Sequence, residues 1–422
     1  MKKLCCLLCV MLLLTGCGTD KKTAPKEGRI SIHSDSHHQL IKTQDPVYLD
    51  EVHSDISWQQ ANANAQNHIP HGQIGTHIAK KWSRNVGKGL SADYFVLPEP
   101  IIVNQKIYVL DSALRLTVLD ENTGSQINQI QLPLSEDMGM NSIGLSSDGE
   151  QIYIVCGNGI VYATDLSGKI IWEYNTHAIL RSAPTVANNL IFILSGNNEL
   201  FVLNAKDGTE KWRYKNIKTD TNLFGMGKVA VSKGIAIVPF SSGEIIAFDI
   251  QTGMIQWADT LLSYRTFSPI DDLSHIVASP VIVNDTVYLV GNAKKTGAYA
   301  LQTGDVRFIQ NIGGQNTPVV NGNALFMITT QNTLIALNTT NGHTVWETNL
   351  TSKETNGIAW KGPVLINNQL VIVSNKGDIL FIDALNGSLK QHLQNESFSN
   401  KPILGTNKVI FYTNDADLIA YQ

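Results

Sequence analysis

The sequence predicts an all-β fold: an eight-bladed β-propeller of four-stranded antiparallel blades, closed by pairing of N- and C-terminal strands. Three observations predict it. A glycine recurs at blade-length intervals and is followed by an aromatic residue; a proline precedes six of the hairpins; and one strand motif at the front of the array lacks a hairpin of its own.

The glycine repeat is the strongest of these. Gly168 precedes Trp172, Gly208 precedes Trp212, Gly253 precedes Trp257, Gly304 precedes Phe308 and Gly342 precedes Trp346, always by four residues. Gly124 and Gly387 take the same place, with Asn128 and Gln391 at the aromatic position. Successive intervals are 44, 40, 45, 51, 38 and 45 residues, the length of a four-stranded blade. In Leu203-Asn204-Ala205-Lys206-Asp207-Gly208 the glycine supplies the left-handed residue that ends a tight turn. The tryptophan four residues on then lies on the outermost strand, where its ring can wedge against the next blade and its N–H can reach a backbone acceptor.

Pro100, Pro184, Pro280, Pro318, Pro363 and Pro402 each stand shortly before an apolar strand such as Ile107-Tyr108-Val109. A residue without an N–H suits an edge strand, and the innermost strand of a blade is an edge facing the central channel. The two remaining blades carry Asn141-Ser142-Ile143 and Lys228-Val229-Ala230 instead. Eight inner hairpins end near residues 119, 165, 203, 249, 301, 338, 383 and 421, but an outer strand follows only seven of them. Lys80-Lys81-Trp82-Ser83-Arg84 resembles Glu210-Lys211-Trp212-Arg213 and comes before the first blade, so it is expected to pair with the C-terminal hairpin and remove the exposed edges of an open array.

The rest of the chain sets the compartment. Met1-Lys2-Lys3, an apolar run over 4–14 and Thr15-Gly16 read as a secretory signal, too short to span a bilayer. Leu14-Thr15-Gly16-Cys17 matches a lipobox, so residues 1–16 are expected to be removed and Cys17 lipidated, anchoring the domain on a membrane. Gly18, in place of an aspartate, favours the outer membrane. Residues 17–77 are polar, hold seven of the eleven histidines without metal-site spacing, and are expected to form a lipidated, flexible tether whose Trp58-Gln59-Gln60 to His68 end can dock on the domain. The propeller then occupies 78–422. Of five cysteines only Cys156 remains in it, after Ile152-Tyr153-Ile154-Val155, and is expected to be a buried hydrophobe with no disulfide partner. Charged residues at 16% and a net charge of -4 exclude a nucleic-acid partner, which would need clustered Lys and Arg. There is no GxxxxGK, HExxH or GxSxG, and no catalytic residue or metal ligand is assigned.

The glycine-then-tryptophan repeat resembles the quinoprotein-type, PQQ-like propeller repeat and differs from the WD type. With the lipobox, the chain is similar to the BamB-type lipoproteins of the outer-membrane β-barrel assembly machinery from Cys17 and Trp58 to Tyr421. The likeness is densest in Pro239-Phe240-Ser241-Ser242-Gly243-Glu244, Ile312-Gly313-Gly314-Gln315-Asn316-Thr317-Pro318 and Trp360-Lys361-Gly362-Pro363-Val364-Leu365. This resemblance implies a non-catalytic scaffold without a cofactor, lipid-anchored in the outer membrane and facing the periplasm. It also implies binding to the periplasmic domains of a BamA-type barrel insertase and aid to insertion of barrel proteins, with nascent barrel chains as possible further partners.

Two connections stand out as binding loops, 216–226 and 258–276, because both join an outer strand to the next inner strand at adjacent blade junctions. In the BamB type the first offers apolar and Arg positions and the second two acids. Here Thr221, Leu223 and Phe224 take the first set of places. Ile270-Asp271-Asp272-Leu273-Ser274 keeps the core of the second, while His275 and Val277 stand where the acids would be, and Asp271 and Asp272 offer a partial substitute. The competing expectations are a quinone-dependent periplasmic dehydrogenase, which would need a quinone, a calcium site and typically adjacent cysteines, and a sugar- or peptide-binding propeller.

Overall fold

The computed structural model describes residues 41–75, 78–91, 97–133, 142–217, 227–261, 276–292, 295–350, 357–398 and 400–422. Residues 40–422 form one compact unit. Every strand in that unit belongs to one of eight four-stranded antiparallel sheets, and no helix appears among the described residues. Seven sheets run in simple chain order from an innermost strand outward, the first being Ile101–Val103, Lys106–Leu110, Arg115–Asp120 and Gln126–Gln131. The eighth joins the two ends: Lys80–Asn85 is the outer strand on Asp417–Tyr421, with Trp82 opposite Ala420 and Arg84 opposite Leu418. The eight sheets stand in a ring as an eight-bladed propeller, and the expected closure is present.

The repeat residues hold neighbouring blades together. Gly124, Gly208, Gly253, Gly304, Gly342 and Gly387 all have positive φ and end turns at which the outer strand shifts register by one residue. Except at Gly304, where Ala300 stands, each of these turns opens on Asp or Asn, whose side chain can take the next N–H groups; Asp249 Oδ1 accepts from Thr252 and Gln251 at 2.8 and 3.0 Å, which holds its carboxyl below the usual range. The aromatic of one blade then lies on the glycine of the next. The indole N–H groups of Trp172, Trp212, Trp257 and Trp346 donate to the turn carbonyls of Ala205, Ile250, Leu301 and Ala384 at 2.8–3.0 Å. Trp82 packs on Gly124 in the same way, but its buried Nε1 has no partner. At the substituted position Asn128 Nδ2 reaches the Ser167 carbonyl at 3.0 Å, so an amide takes over the tryptophan's bond without its ring.

The inner strands are almost wholly apolar and buried, as in Leu190–Leu194 and Ile235–Pro239, and form the core between blades. Cys156 is among these residues, 1% exposed, and burial pushes its thiol up to about 12.

The stretch expected to be a flexible tether over 17–77 is, from 41 to 75, packed on the ring. Its main chain and side chains make one lap of the mouth on the side of the turns that follow the innermost strands. Ser54 O accepts from Asn407 N in the last blade at 3.2 Å, Trp58 O from Ile102 N at 2.8 Å and Gln59 O from Ser147 N at 2.8 Å. Gln60 makes both bonds to Val186, Ala65 O accepts from Val231 N, Gln66 O from Ile282 N, His68 Nε2 meets Val320 O, and Gly72 bonds to Leu365 and Asn367. Each blade is touched in turn. The innermost strands leave edge N–H groups unpaired toward the channel, and a buried donor must find an acceptor. A polar strap rich in Asn, Gln and His supplies it, which is why Gln60, Asn62, Asn67 and His71 are buried. Residues 41–48 continue along the sixth blade, with Thr43 and Ile41 bonding Thr344 and Tyr48 O accepting from Asn323 N.

Candidate functional site

The connections from outer to inner strands leave the ring on the face opposite the strap. The ends of the two candidate loops are firmly held: Leu261 and Ile276 are buried, and Asn216 donates to Glu244 Oε2 at 2.8 Å. Ile217, at the start of the first loop, is by contrast 74% exposed. Thr221, Leu223, Phe224, Asp271, Asp272, Leu273 and His275 lie outside the described residues, as does Cys17. Val277 is described; it is half-buried and lines the central channel, not the outer rim.

On this same face the channel opens as a cavity of about 270 Å³, and the strap residues Ala61 and Asn62 form part of its wall. Since the strap crosses the other mouth, the channel is a cup. Its wall follows a pattern in the sequence. Glu99, Ala183, Ser279, Thr317, Gly362 and Lys401, the residues directly before the six prolines, all line it. A residue before proline is biased toward extended backbone, and this position recurs at six of the eight inner strands, with Gly362, at φ +118°, departing from it.

The lining is unevenly charged. Among the described residues the wall holds Arg181, Lys228, Lys361 and Lys401 and one carboxylate, Glu99. Glu99 Oε1 accepts from Trp58 Nε1 and from the Asn62 N–H, both at 2.8 Å, and Oε2 accepts from Lys401 Nζ. Lys228 is 3% exposed and donates from Nζ to the strap carbonyls of Ala61 at 2.5 Å and Asn64 at 3.3 Å. Burial lowers its ammonium to about 7, and nearby Lys401 adds to the effect against Glu99. Lys361 is lowered by burial and again by Lys401. Such a donor set suits anions. It does not suit a calcium ion, which takes six to eight oxygens, several of them carboxylates. Among the described residues no group of three His, Cys, Asp or Glu could hold a metal.

Comparison with known proteins agrees with this architecture. The protein is 25% identical over 352 residues to the outer membrane protein assembly factor BamB of Yersinia pestis, covering 81% of this chain and 88% of that one. The crystal structure of BamB from Moraxella catarrhalis superposes with a TM-score of 0.70 at 17% identity, covering 82% of this chain and all of that one. The quinohemoprotein alcohol dehydrogenase of Comamonas testosteroni shares the fold at a TM-score of 0.66 and 12% identity, covering 86% and 80%. The family model described as outer membrane protein assembly factor BamB matches residues 137–348, half of the chain. The repeat, the ring and that match together establish that the chain belongs to the BamB family of outer membrane protein assembly factors.

Proposed function

We propose that the protein is a non-catalytic scaffold in outer-membrane protein assembly, held at the outer membrane by lipids on Cys17 after removal of residues 1–16 and facing the periplasm. Its partner is the periplasmic part of a BamA-type barrel insertase, and it aids insertion of barrel proteins. The observation that carries this reading is membership of a family named for that assembly role, joined to a ring whose blades are locked to one another and stapled by a strap. Thr221, Leu223 and Phe224 in the first loop and Asp271, Asp272, Leu273, His275 and Val277 in the second are the proposed contacts. Val277 is the least suited, because it turns toward the channel. A quinone-dependent dehydrogenase is disfavoured because the described channel wall offers a calcium ion one carboxylate, already engaged by Trp58, Asn62 and Lys401.

The test is co-purification from detergent-solubilised outer membrane. The chain with Asp271→Lys, Asp272→Lys and Phe224→Glu should lose the insertase while keeping its melting behaviour; unchanged recovery of the partner would sink the assigned face. Saturable dye reduction on adding pyrroloquinoline quinone and calcium would overturn the non-catalytic reading.

A further inference from the structure

We propose that the central cup is a binding site for a small oxyanion of two or more negative charges, a phosphate or a polycarboxylate. The inference is independent of the assembly role.

The cup is closed by the strap at one mouth and open at the other, so it is a pocket and not a pore. Its volume of about 270 Å³ fits a small molecule and not a chain segment. Four cationic side chains from four different blades line it: Arg181, which has a bonding partner of its own, from the third, Lys228 from the fourth, Lys361 from the seventh and Lys401 from the eighth. Among the described residues Glu99 is the single carboxylate in the wall, and its two oxygens are taken by Trp58, Asn62 and Lys401. Lys361 has no carboxylate partner among the described residues. The polar neighbours are mostly committed elsewhere: Asn400 Nδ2 donates to Leu97 O at 2.7 Å, Gln315 Nε2 to Asn292 Oδ1 at 3.0 Å, and Thr317 Oγ1 accepts from Ser279 N at 3.1 Å.

Crowding cations in a partly desolvated pocket is unfavourable for folding, because each charge loses water and repels the others. The lowered ammonium groups of Lys228 and Lys361 record that cost. An oxyanion would reverse it by charge-assisted hydrogen bonds in a low-dielectric site. Binding should therefore take up protons near neutral pH, since Lys228 titrates at about 7 and the anion favours its charged form.

Calorimetric titration of the full chain in detergent, with inorganic phosphate and separately with citrate at fixed ionic strength, tests this. At least one anion should bind at one site per chain, and repeating the titration in buffers of different ionisation enthalpy should show proton uptake at pH 7.5. Binding of phosphate alone or citrate alone supports the proposal and assigns the class. Lys361→Met should weaken binding about tenfold or more, and Lys361→Arg should retain it. Lys233→Met, on the opposite face beside Asp285, should leave it unchanged. The proposal is overturned if neither anion binds saturably up to about 10 mM. It is also overturned by equal affinities in Lys361→Met and the unaltered chain, by weakening in Lys233→Met to the same degree, or by binding without proton uptake.

Discussion

Two glycines separate the conformational demand of the blade turn from its packing demand. Gly208 and Gly234 both lie in the left-handed region, at φ +71° and +79°. A Cβ on Gly234 meets nothing within 4 Å, whereas one on Gly208 would stand 2.6 Å from Cε3 and 2.7 Å from Cδ2 of Trp172. That indole cannot swing aside, because its N–H is tied to Ala205 O at 3.0 Å and its ring rests near Tyr153. Gly234→Ala should thus cost only the backbone term, about 1–2 kcal/mol. Gly208→Ala should add overpacking of about 1–3 kcal/mol, for a total of about 2–5 kcal/mol. Trp172→Ala alone should cost about 3–5 kcal/mol, and in that background Gly208→Ala should fall back to about 1–2 kcal/mol. The cycle therefore predicts a coupling of about 1–3 kcal/mol between the two positions. Urea unfolding followed by circular dichroism measures all four proteins. If Gly208→Ala costs no more than Gly234→Ala, or the coupling is zero, the glycine is needed for its backbone alone and the interlocking account of the repeat fails.

Other perturbations probe the closure and the strap. Deleting residues 408–422 removes Lys408–Tyr412 and Asp417–Tyr421 and leaves Lys80–Asn85 without a sheet, so cooperative unfolding should vanish; a truncated chain melting like the full one would refute closure. Burial holds the imidazoles of His71 and His68 below their ordinary 6.5. His71 Nε2 accepts the Asn368 N–H at 3.0 Å, so the proton sits on Nδ1, donating to Asp50 O, and a second proton would break the bond. The unfolded chain binds protons that the folded one refuses, so this stability is complete above about pH 6.5 and is lost as pH falls through that value. His71→Gln should flatten the dependence between pH 7 and 5.5 by up to about 1.4 kcal/mol per pH unit, and an unchanged slope in pH-dependent melts would contradict the assignment. Glu99→Ala removes the acceptor of Trp58 Nε1 and Asn62 N–H and strands Lys401, which should cost about 3–5 kcal/mol. Limited proteolysis should then cut first within residues 54–68, and a variant as resistant as the original would show that Glu99 does not hold the strap.

The ring was legible because its determinants are local. A turn glycine, an aromatic four residues later and a proline before the inner strand each do their work within one blade and its neighbour. Even the closing strand at Lys80–Asn85 could be found, since it carries the same Lys-Trp pattern as Glu210–Lys215. The strap was legible only at its Trp58-Gln59-Gln60 to His68 end, which was expected to dock on the domain. Gln60, Asn62, Asn67 and His71 are buried against strand ends that exist only once all the blades have assembled, so neither period nor hydropathy marks them. Trp58 was the one visible sign; it is fully buried, with its N–H on Glu99. The cup escaped for a related reason. Its cations are single residues scattered over 181–401, and only the recurring place just before each proline connects Lys401 with Glu99 or Ser279. The proposed loop contacts rest on resemblance, because the spacing of Thr221 to Phe224 and of Asp271 to His275 carries no structural period at all.

The central claim is that the face bearing the outer-to-inner connections of the third to fifth blades is the one that meets the barrel insertase. Photo-crosslinking in intact cells addresses it directly, with the reactive residue placed at Phe224 or His275 and, as a control, at Lys233 in the turn on the other face. Adducts with the insertase from Phe224 and His275 but not from Lys233 are the predicted result; adducts from Lys233 alone would contradict it.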